Sequence, residues 1–342
     1  MGVLDGSRSF LSMKILPNAH IKGGGGFMGT AIMTGLLLLL QLQPIEPAEP
    51  FKIVIEGKEI ATVQKEDVTL PFSGVPLIDE HKLQGWIESV KKEVDRPPIN
   101  AIIDDAGKII PEKKGMQING AQVKLGFYEY YYGSGSAKLE NPTRVLMPKV
   151  DQGLLAQVRQ KKIGQYTTYF NSRNHNRSHN IKLAAEAINN YVLLPGEIFS
   201  FNKVVGKRTR AKGYLEAPVI VKGELSEGIG GGICQVSSTL FNAVDRAGIH
   251  IVKRYSHSRE VPYVPPGRDA TVSWNGPDLV FQNKYPYPVL IRAKSIYGQV
   301  YVSIHSFPEL EHEPRHVPRV SKELPEEVKS EEKQVLSKNG DR

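Results

Sequence analysis

Internal disulfides are excluded from the start: a single cysteine, Cys234, stands in 342 residues, so every folded part must be held by its own core. Tryptophan is nearly as scarce, with two residues, and aromatics together make up only 8%. No phosphate-loop or dinucleotide fingerprint occurs, which argues against the common nucleotide-dependent folds, and no internal repeat points to a solenoid or propeller. What the chain does have is length for two ordinary domains and 40% apolar residues, enough for a sizeable core. Its formal charge of +8 and pI of about 9.3 favour anionic surroundings: phospholipid head groups, teichoic or other wall polyanions, or nucleic acid.

The N-terminus narrows that choice. Arg8, Lys14 and Lys22 precede Gly23 to Leu42, whose centre, Phe27 to Leu40, carries no charge and ends in five leucines. A basic flank before an apolar run of about 20 residues is an export signal of membrane-spanning length. No small-x-small cleavage site follows, since Leu42-Gln43-Pro44-Ile45-Glu46 comes next. The expectation is an uncleaved signal-anchor at residues 23–43, a cytoplasmic basic N-terminus at 1–22, and residues 45–342 outside the cell membrane. The proline-rich stretch 44–50 reads as a stiff spacer.

Residues 51–165 read as a small α+β domain. Phe51 to Ile60 has a strand-turn-strand pattern, His81 to Val94 an amphipathic helix stopped by Pro97-Pro98, and two strands flank Asp104 to Gly107. The run Phe127 to Tyr132 reads as a strand whose alternate tyrosines, Tyr128, Tyr130 and Tyr132, form either a stacking platform or inter-sheet packing. A second domain spans 170–307. Its polar opening, Asn171 to Asn180, leads to a helix from about Asn180 to Tyr191 capped by Ser178 and buried along Ile181, Ala184, Ala185 and Ile188. Strands are expected near Ile198 to Phe201, at Ala217 to Val221, Ile249 to Arg254, Arg268 to Trp274, Val289 to Lys294 and Gln299 to His305. Between them lies a helix that starts at Cys234, turns Val236, Leu240, Ala243, Val244 and Ala247 inward and stops at Gly248. The fold class is α+β, a mainly antiparallel sheet with a few packed helices, preceded by the anchor and the small α+β domain. Residues 308–342, rich in Glu, Lys and Pro, read as a disordered charged tail.

Three residues carry the chemistry, in chain order. Cys234 follows Gly230-Gly231-Gly232-Ile233 at a helix start, where unpaired N–H groups and the helix dipole favour a thiolate. His257 follows a strand, and Asp269 heads the next one. A thiolate, an imidazole to take its proton and a carboxylate to fix the tautomer are the parts of a cysteine acyl-transfer or amide-hydrolysing enzyme. Gln235 or the Cys234 N–H would supply the oxyanion hole. Gly231 and Gly232 let a ligand approach the backbone, and Ser237 and Arg268 complete the candidate ligand-binding set with Gln235. The alternative is bland: a space-filling cysteine, a polar strand end and an Arg–Asp turn, in a wall-binding or scaffold protein that is not an enzyme. His175 and His179 fall in the loop before the helix with no acidic ligand near them, so no metal site is expected. Lys207, Arg208, Arg210 and Lys212 form a basic loop able to hold a carboxylate or phosphate, a solvated charge run being the simpler reading.

The ordered blocks of the second half resemble the VanW family. They are Asn176-Arg177, Leu194-Pro195-Gly196-Glu197, Phe199-Ser200-Phe201-Asn202, Gly206-Lys207-Arg208-Thr209, Gly213-Tyr214, Gly230 to Leu240, His257-Ser258 and Tyr263 to Val272, spread over residues 176–306. Ser238 and Phe241 replace a threonine and a tyrosine of the family pattern. The first domain resembles, through Gly107 to Gly115, the peptidoglycan-binding module that often precedes such domains. The resemblance implies peptidoglycan or its precursors as partner and a place in the bacterial envelope, linked to vancomycin resistance by the family name; neither nucleic acid nor a cofactor is expected.

Overall fold

A computed structural model describes residues 49–320, apart from 72, 73, 134, 222 and 223. The expected signal-anchor and the last part of the tail lie outside these residues. Among the described residues no helix is long and apolar enough to cross a membrane.

The first half opens on a hairpin of β1 (Phe51–Ile55) and β2 (Lys58–Val63), turned by Glu56 and Gly57 at φ 52° and 79°. Two adjacent left-handed residues match the right-handed twist of the strands they join. Helix α1 (Glu80–Val94) is capped by Asp79, whose carboxylate accepts from the N–H groups of His81 and Lys82, and it buries Leu83, Ile87, Val90 and Val94. The short pair β3 (Ile102–Ile103) and β4 (Ile109–Ile110) flanks the Asp104-to-Gly107 turn as expected. Then follow β5 (Gly115–Ile118), α2 (Gly120–Tyr131), β6 (Lys138–Glu140), β7 (Thr143–Leu146) and α3 (Gln152–Val158).

Helix α2 overturns the expected tyrosine strand. Asn119 caps it, and Val123, Phe127, Tyr130 and Tyr131 recur at helical spacing and are buried. The alternation of tyrosines is incidental to that longer period, so they form no common platform: Tyr130 packs at 5.4 Å from Phe51 while Tyr132 is exposed. A bridging cluster of Ala101, Ile103, Val150, Leu155 and Val158 packs on Val192 and Leu290 and joins this half to the next.

The second half begins with β8 (Lys161–Tyr169) and α4 (His175–Ile188). Its stripe is the expected one, but the helix starts five residues early, capped by Asn174 rather than Ser178. His175 and His179 therefore lie on the helix, and His179 Nε2 meets the Gly213 carbonyl at 2.9 Å. After β9 (Tyr191–Leu193), β10 (Ile198–Ser200), α5 (Phe201–Val205) and the hairpin β11 (Glu216–Val221) and β12 (Glu224–Ile229) comes α6 (Ile233–Arg246). The chain then forms β13 (His250–Lys253), β14 (Val280–Gln282), β15 (Val289–Ile296) and β16 (Gln299–Ser306).

Strands β8, β16, β15 and β9, in that order, make an antiparallel four-stranded sheet, and β10, β14 and β13 a three-stranded one. The fold is α+β with mostly antiparallel pairing and six α-helices among the described residues. Helices α4 and α6 cover one face of the larger sheet through Ile181, Ala185, Ile188, Val236, Leu240 and Val244. Helix α6 approaches so closely that a Cβ on Gly164 would stand 2.5 Å from the Ala243 carbonyl oxygen.

Two further expectations change. Residues 268–274 join no sheet and form no strand, and α6 side chains take bonds that a neighbouring strand would take. Asn242 Nδ2 donates to the Arg268 carbonyl at 2.7 Å, Ser238 Oγ accepts from the Ala270 N–H at 2.8 Å, and Ser237 Oγ donates to the Ala270 carbonyl at 2.5 Å. The expected disordered tail also begins too early at 308. Leu310 and Val317 are buried in the core, and Tyr166 donates to the Pro318 carbonyl at 2.9 Å.

Candidate active site at the start of the central helix

The glycine run before α6 meets demands of the backbone. Gly230 and Gly232 have φ of 90° and 102°, and Gly232 is the N-cap. A Cβ on Gly231 would lie 2.5 Å from the Ala217 carbonyl oxygen, and one on Gly232 would strike Ile181 and Arg177. Asn180, fully buried, locks the turn in place: its amide donates to the Leu215 and Gly231 carbonyls at 2.9 and 3.1 Å, and its oxygen accepts from the Leu215 N–H at 2.8 Å. Close packing of the chain on itself is thus sufficient reason for glycine at 231 and 232.

This rigid turn delivers Cys234 at the second helical position, within the first turn, where a helix leaves N–H groups unsatisfied. Its Sγ faces the strap that carries Asp269, 3.5 Å from the Val272 carbonyl oxygen and 3.8 Å from Thr271 Oγ1. Asp269 Oδ2 accepts two bonds of 2.6 Å from His257, one from the backbone N–H and one from Nδ1. A carboxylate accepts, so Nδ1 carries the hydrogen and Nε2 is the nitrogen available to the thiol. The side chains of His257 and Asp269 are 6% and 9% exposed, so water does not compete for this pair. The structure thus brings Cys234, His257 and Asp269 together.

Their ionisations interlock. Burial pushes the Cys234 thiol up, but hydrogen bonding with His257 and its positive charge outweigh burial and leave the thiol below its ordinary value. Burial pushes His257 down, while Cys234 and then Asp269 raise it above that of a free histidine. Burial likewise opposes ionisation of Asp269, and the His257 N–H and ring bring it below the usual carboxylate range. Each shift is toward the charged form, so the three groups support one another's ionisation as thiolate, imidazolium and carboxylate.

Three expected ligand groups turn out to be braces. Gln235 is fully buried, with Nε2 donating to Thr168 Oγ1 and the Tyr169 carbonyl at 3.0 Å each and Oε1 accepting from Arg177 at 2.7 Å, so its amide cannot serve as an oxyanion donor. Ser237 spends its hydroxyl on the Ala270 and Cys234 carbonyls. Arg268 donates to Asn242 and Asp245 at 2.7 Å each and lies 4.7 Å over the Phe241 ring, fixing the strap to α6.

Two residues gain importance. Tyr263 is buried beside Ser238, and burial together with the Cys234 charge holds its phenol well above 10, hence neutral. Arg208 separates from its basic loop. Lys207, Arg210 and Lys212 are exposed, whereas Arg208 lies against Gly230 and 5.9 Å from the Phe201 ring centroid. Its Nη2 donates to Asn202 Oδ1 at 2.8 Å, and its Nη1 is buried without a hydrogen-bond partner. Burial lowers its pKa, with the negative fields of Cys234, Tyr214 and Asp278 opposing. Both residues fall inside the sequence blocks quoted above, but only the fold shows that they turn inward.

Residues 176–305 match the family model described as "VanW like protein", and residues 48–124 match the one described as "Putative peptidoglycan binding domain". The chain is 52% identical over 301 residues to "Uncharacterized protein YoaR" of Bacillus subtilis, which covers 88% of this chain and 99% of that protein. It is 33% identical over 140 residues to "Vancomycin B-type resistance protein VanW" of Enterococcus faecalis, covering 37% of this chain and about half, 49%, of that protein. No solved structure matches.

Proposed function

Because the chain belongs to the VanW-like family, with a peptidoglycan-binding module before the VanW-like domain, we propose that it works on the bacterial cell wall as a cysteine acyl-transfer or amide-hydrolysing enzyme. The observation that carries this reading is the pair of hydrogen bonds from His257 to Asp269 Oδ2, which orients the ring with Nε2 free toward a thiol at a helix start.

In this reading the Cys234 thiolate attacks the carbonyl carbon of a peptidoglycan-related amide, forming a C–S bond. The developing oxyanion is met by the Cys234 N–H at the positive end of α6. The imidazolium Nε2–H protonates the leaving amine as the C–N bond breaks, and Asp269 keeps the ring in place. An amine or water then attacks the thioester, giving its proton back to His257, and the thiolate is regenerated. Tyr263, held neutral, is a fixed dipole at the wall of the site and not a base. The apolar run at residues 23–43 would hold the protein to the membrane, with the catalytic domain outside.

The test is intact-mass spectrometry of the full-length protein incubated with purified muropeptides. Expected is an acyl adduct on Cys234, absent in Cys234→Ala and depleted in His257→Ala. If no adduct forms while binding to isolated walls survives Cys234→Ala, the domain binds the wall without chemistry and the acyl-transfer reading fails.

A further inference from the structure

The four-stranded sheet spends one face on the core. Its other face carries Arg292 and Lys294 on β15 directly opposite Ser303 and Tyr301 on β16, with His305 opposite Lys162 of β8. An antiparallel sheet with one solvated face normally shows a mixed polar set there. Here the ionisable groups that line a cleft of about 610 Å³ are Arg159, Lys162, Arg292, Lys294, Tyr301 and His305, with no carboxylate among them, the fields of Asp105 and Asp104 reaching Arg292 from outside the lining. The far wall is the β3–β4 turn, through Ile103 and Gly107. That wall is fixed, because Ile103 and Asn190 exchange two hydrogen bonds of 3.0 Å.

The cations are positioned mainly by neutral groups. Arg159 donates to the Gly107 carbonyl at 2.9 Å, and Arg292 to Asn190 Oδ1 at 3.0 Å and the Asp104 carbonyl at 3.3 Å. The ion pair at the rim joins Lys294 to Asp105 at 3.2 Å, but the Asp105 side chain is 97% exposed and free to swing away. The cleft is thus pre-built with an excess of positive charge, and this surface takes no part in the chemistry of Cys234.

We propose that this cleft binds phosphodiester groups of an anionic polymer, with Arg292 and Lys294 taking successive phosphates and Lys162 and Arg159 flanking them. Residues two apart on a strand stand about 6.7 Å apart, so the strand offers a row of charges to a chain carrying one charge per repeat. Arginine forks and lysine point charges both suit phosphate oxygens.

His305 supplies a reporter independent of any substitution. Its Nδ1 faces the Arg159 carbonyl at 3.2 Å and its Nε2 the Ser303 hydroxyl at 2.9 Å, so the neutral ring is satisfied on both sides. Burial, with Lys162 and Arg292 adding to it, keeps the ring below the ordinary histidine range. An anion seated among these cations opposes their field and raises it.

The experiment titrates the full-length protein with a synthetic glycerol-phosphate hexamer, following affinity by calorimetry and His305 by NMR. The proposal expects saturable binding that weakens steeply with salt, an upward shift of the His305 titration on binding, and at least a tenfold loss of affinity in Lys162→Gln/Lys294→Gln. Binding without movement of His305, or unaffected by the double substitution, overturns it. So does equal affinity for a hexaglutamate, which would mean generic anion attraction. Phosphatidylglycerol vesicles form the second arm: vesicle binding that the hexamer displaces places the same phosphodiester chemistry on lipid as well, whereas vesicle binding alone overturns the polymer.

Discussion

Replacing Arg208 with methionine separates a functional cation from a structural one. Methionine keeps the aliphatic stem that packs beside Gly230 but removes the guanidinium. The losses are the bond to Asn202, about 1.5–3 kcal/mol for a charged donor, and the ring contact with Phe201, about 0.5–1 kcal/mol. Set against these is the release of Nη1, a buried N–H with no partner, whose desolvation costs about 1–3 kcal/mol in the native protein. The sum runs from about 3 kcal/mol of loss to about 1 kcal/mol of gain, so urea unfolding should keep Arg208→Met within about 3 kcal/mol of wild type. The thiol should not be so tolerant. Arg208 and Cys234 feel each other's charge, and losing the cation shifts thiolate formation to higher pH. Iodoacetamide alkylation followed against pH reads this directly: its midpoint rises in Arg208→Met and stays near wild type in Arg208→Lys, which keeps the charge. A methionine variant that loses more than about 3 kcal/mol with an unchanged alkylation profile would refute the reasoning and make Arg208 a strut of the α5–β11 loop.

The same alkylation profile should move upward in His257→Ala, since the imidazolium is the main group opposing burial at Cys234; a thiol that reacts only after unfolding, with no dependence on His257, would mark a packed core cysteine. Asp269→Asn should shift the profile in the same direction, because His257 then loses its anionic partner and is less readily charged. The folded pKa of Asp269 is depressed, so its stabilising contribution is present above the unfolded value of about 3.9 and is lost as pH falls through the folded value; urea midpoints across an acid series should fall less steeply in Asp269→Asn than in wild type. Gly231→Ala forces a Cβ to within 2.6 Å of two backbone carbonyl oxygens and should cost about 1–3 kcal/mol or more in urea unfolding, while Gly85→Ala, in open space on exposed α1, should gain about 0.4–1 kcal/mol.

The triad was legible in the sequence because its parts use local signals. A glycine run and a buried stripe ending at Gly248 define a helix start, and that start puts Cys234 where a thiolate is favoured whatever the rest of the chain does. The order Cys234, His257, Asp269 then needs only one return of the chain. What the sequence could not show is who bonds to whom. Reading Arg268 to Trp274 as a strand gives it no neighbour; that Ser237, Ser238 and Asn242 stand where a neighbouring strand would depends on three polar residues of a helix that is buried all round. The same long-range pairing decides Gln235, which would be a natural oxyanion donor from its position alone, but which Arg177 and the end of β8 claim from the other side. The first turn of α4 hid for a related reason: Asn174 to Asn180 is polar throughout, so the apolar period begins only at Ile181 and draws the expected cap to Ser178. In each case periodicity tells which way a side chain points relative to its own element, and the partner that meets it comes from elsewhere in the chain. The brace residues are therefore the ones a local reading promotes to ligands, whereas Arg208, half-buried within the field of Cys234 and with its Nη1 unpaired, is the kind of residue it dismisses as a surface charge.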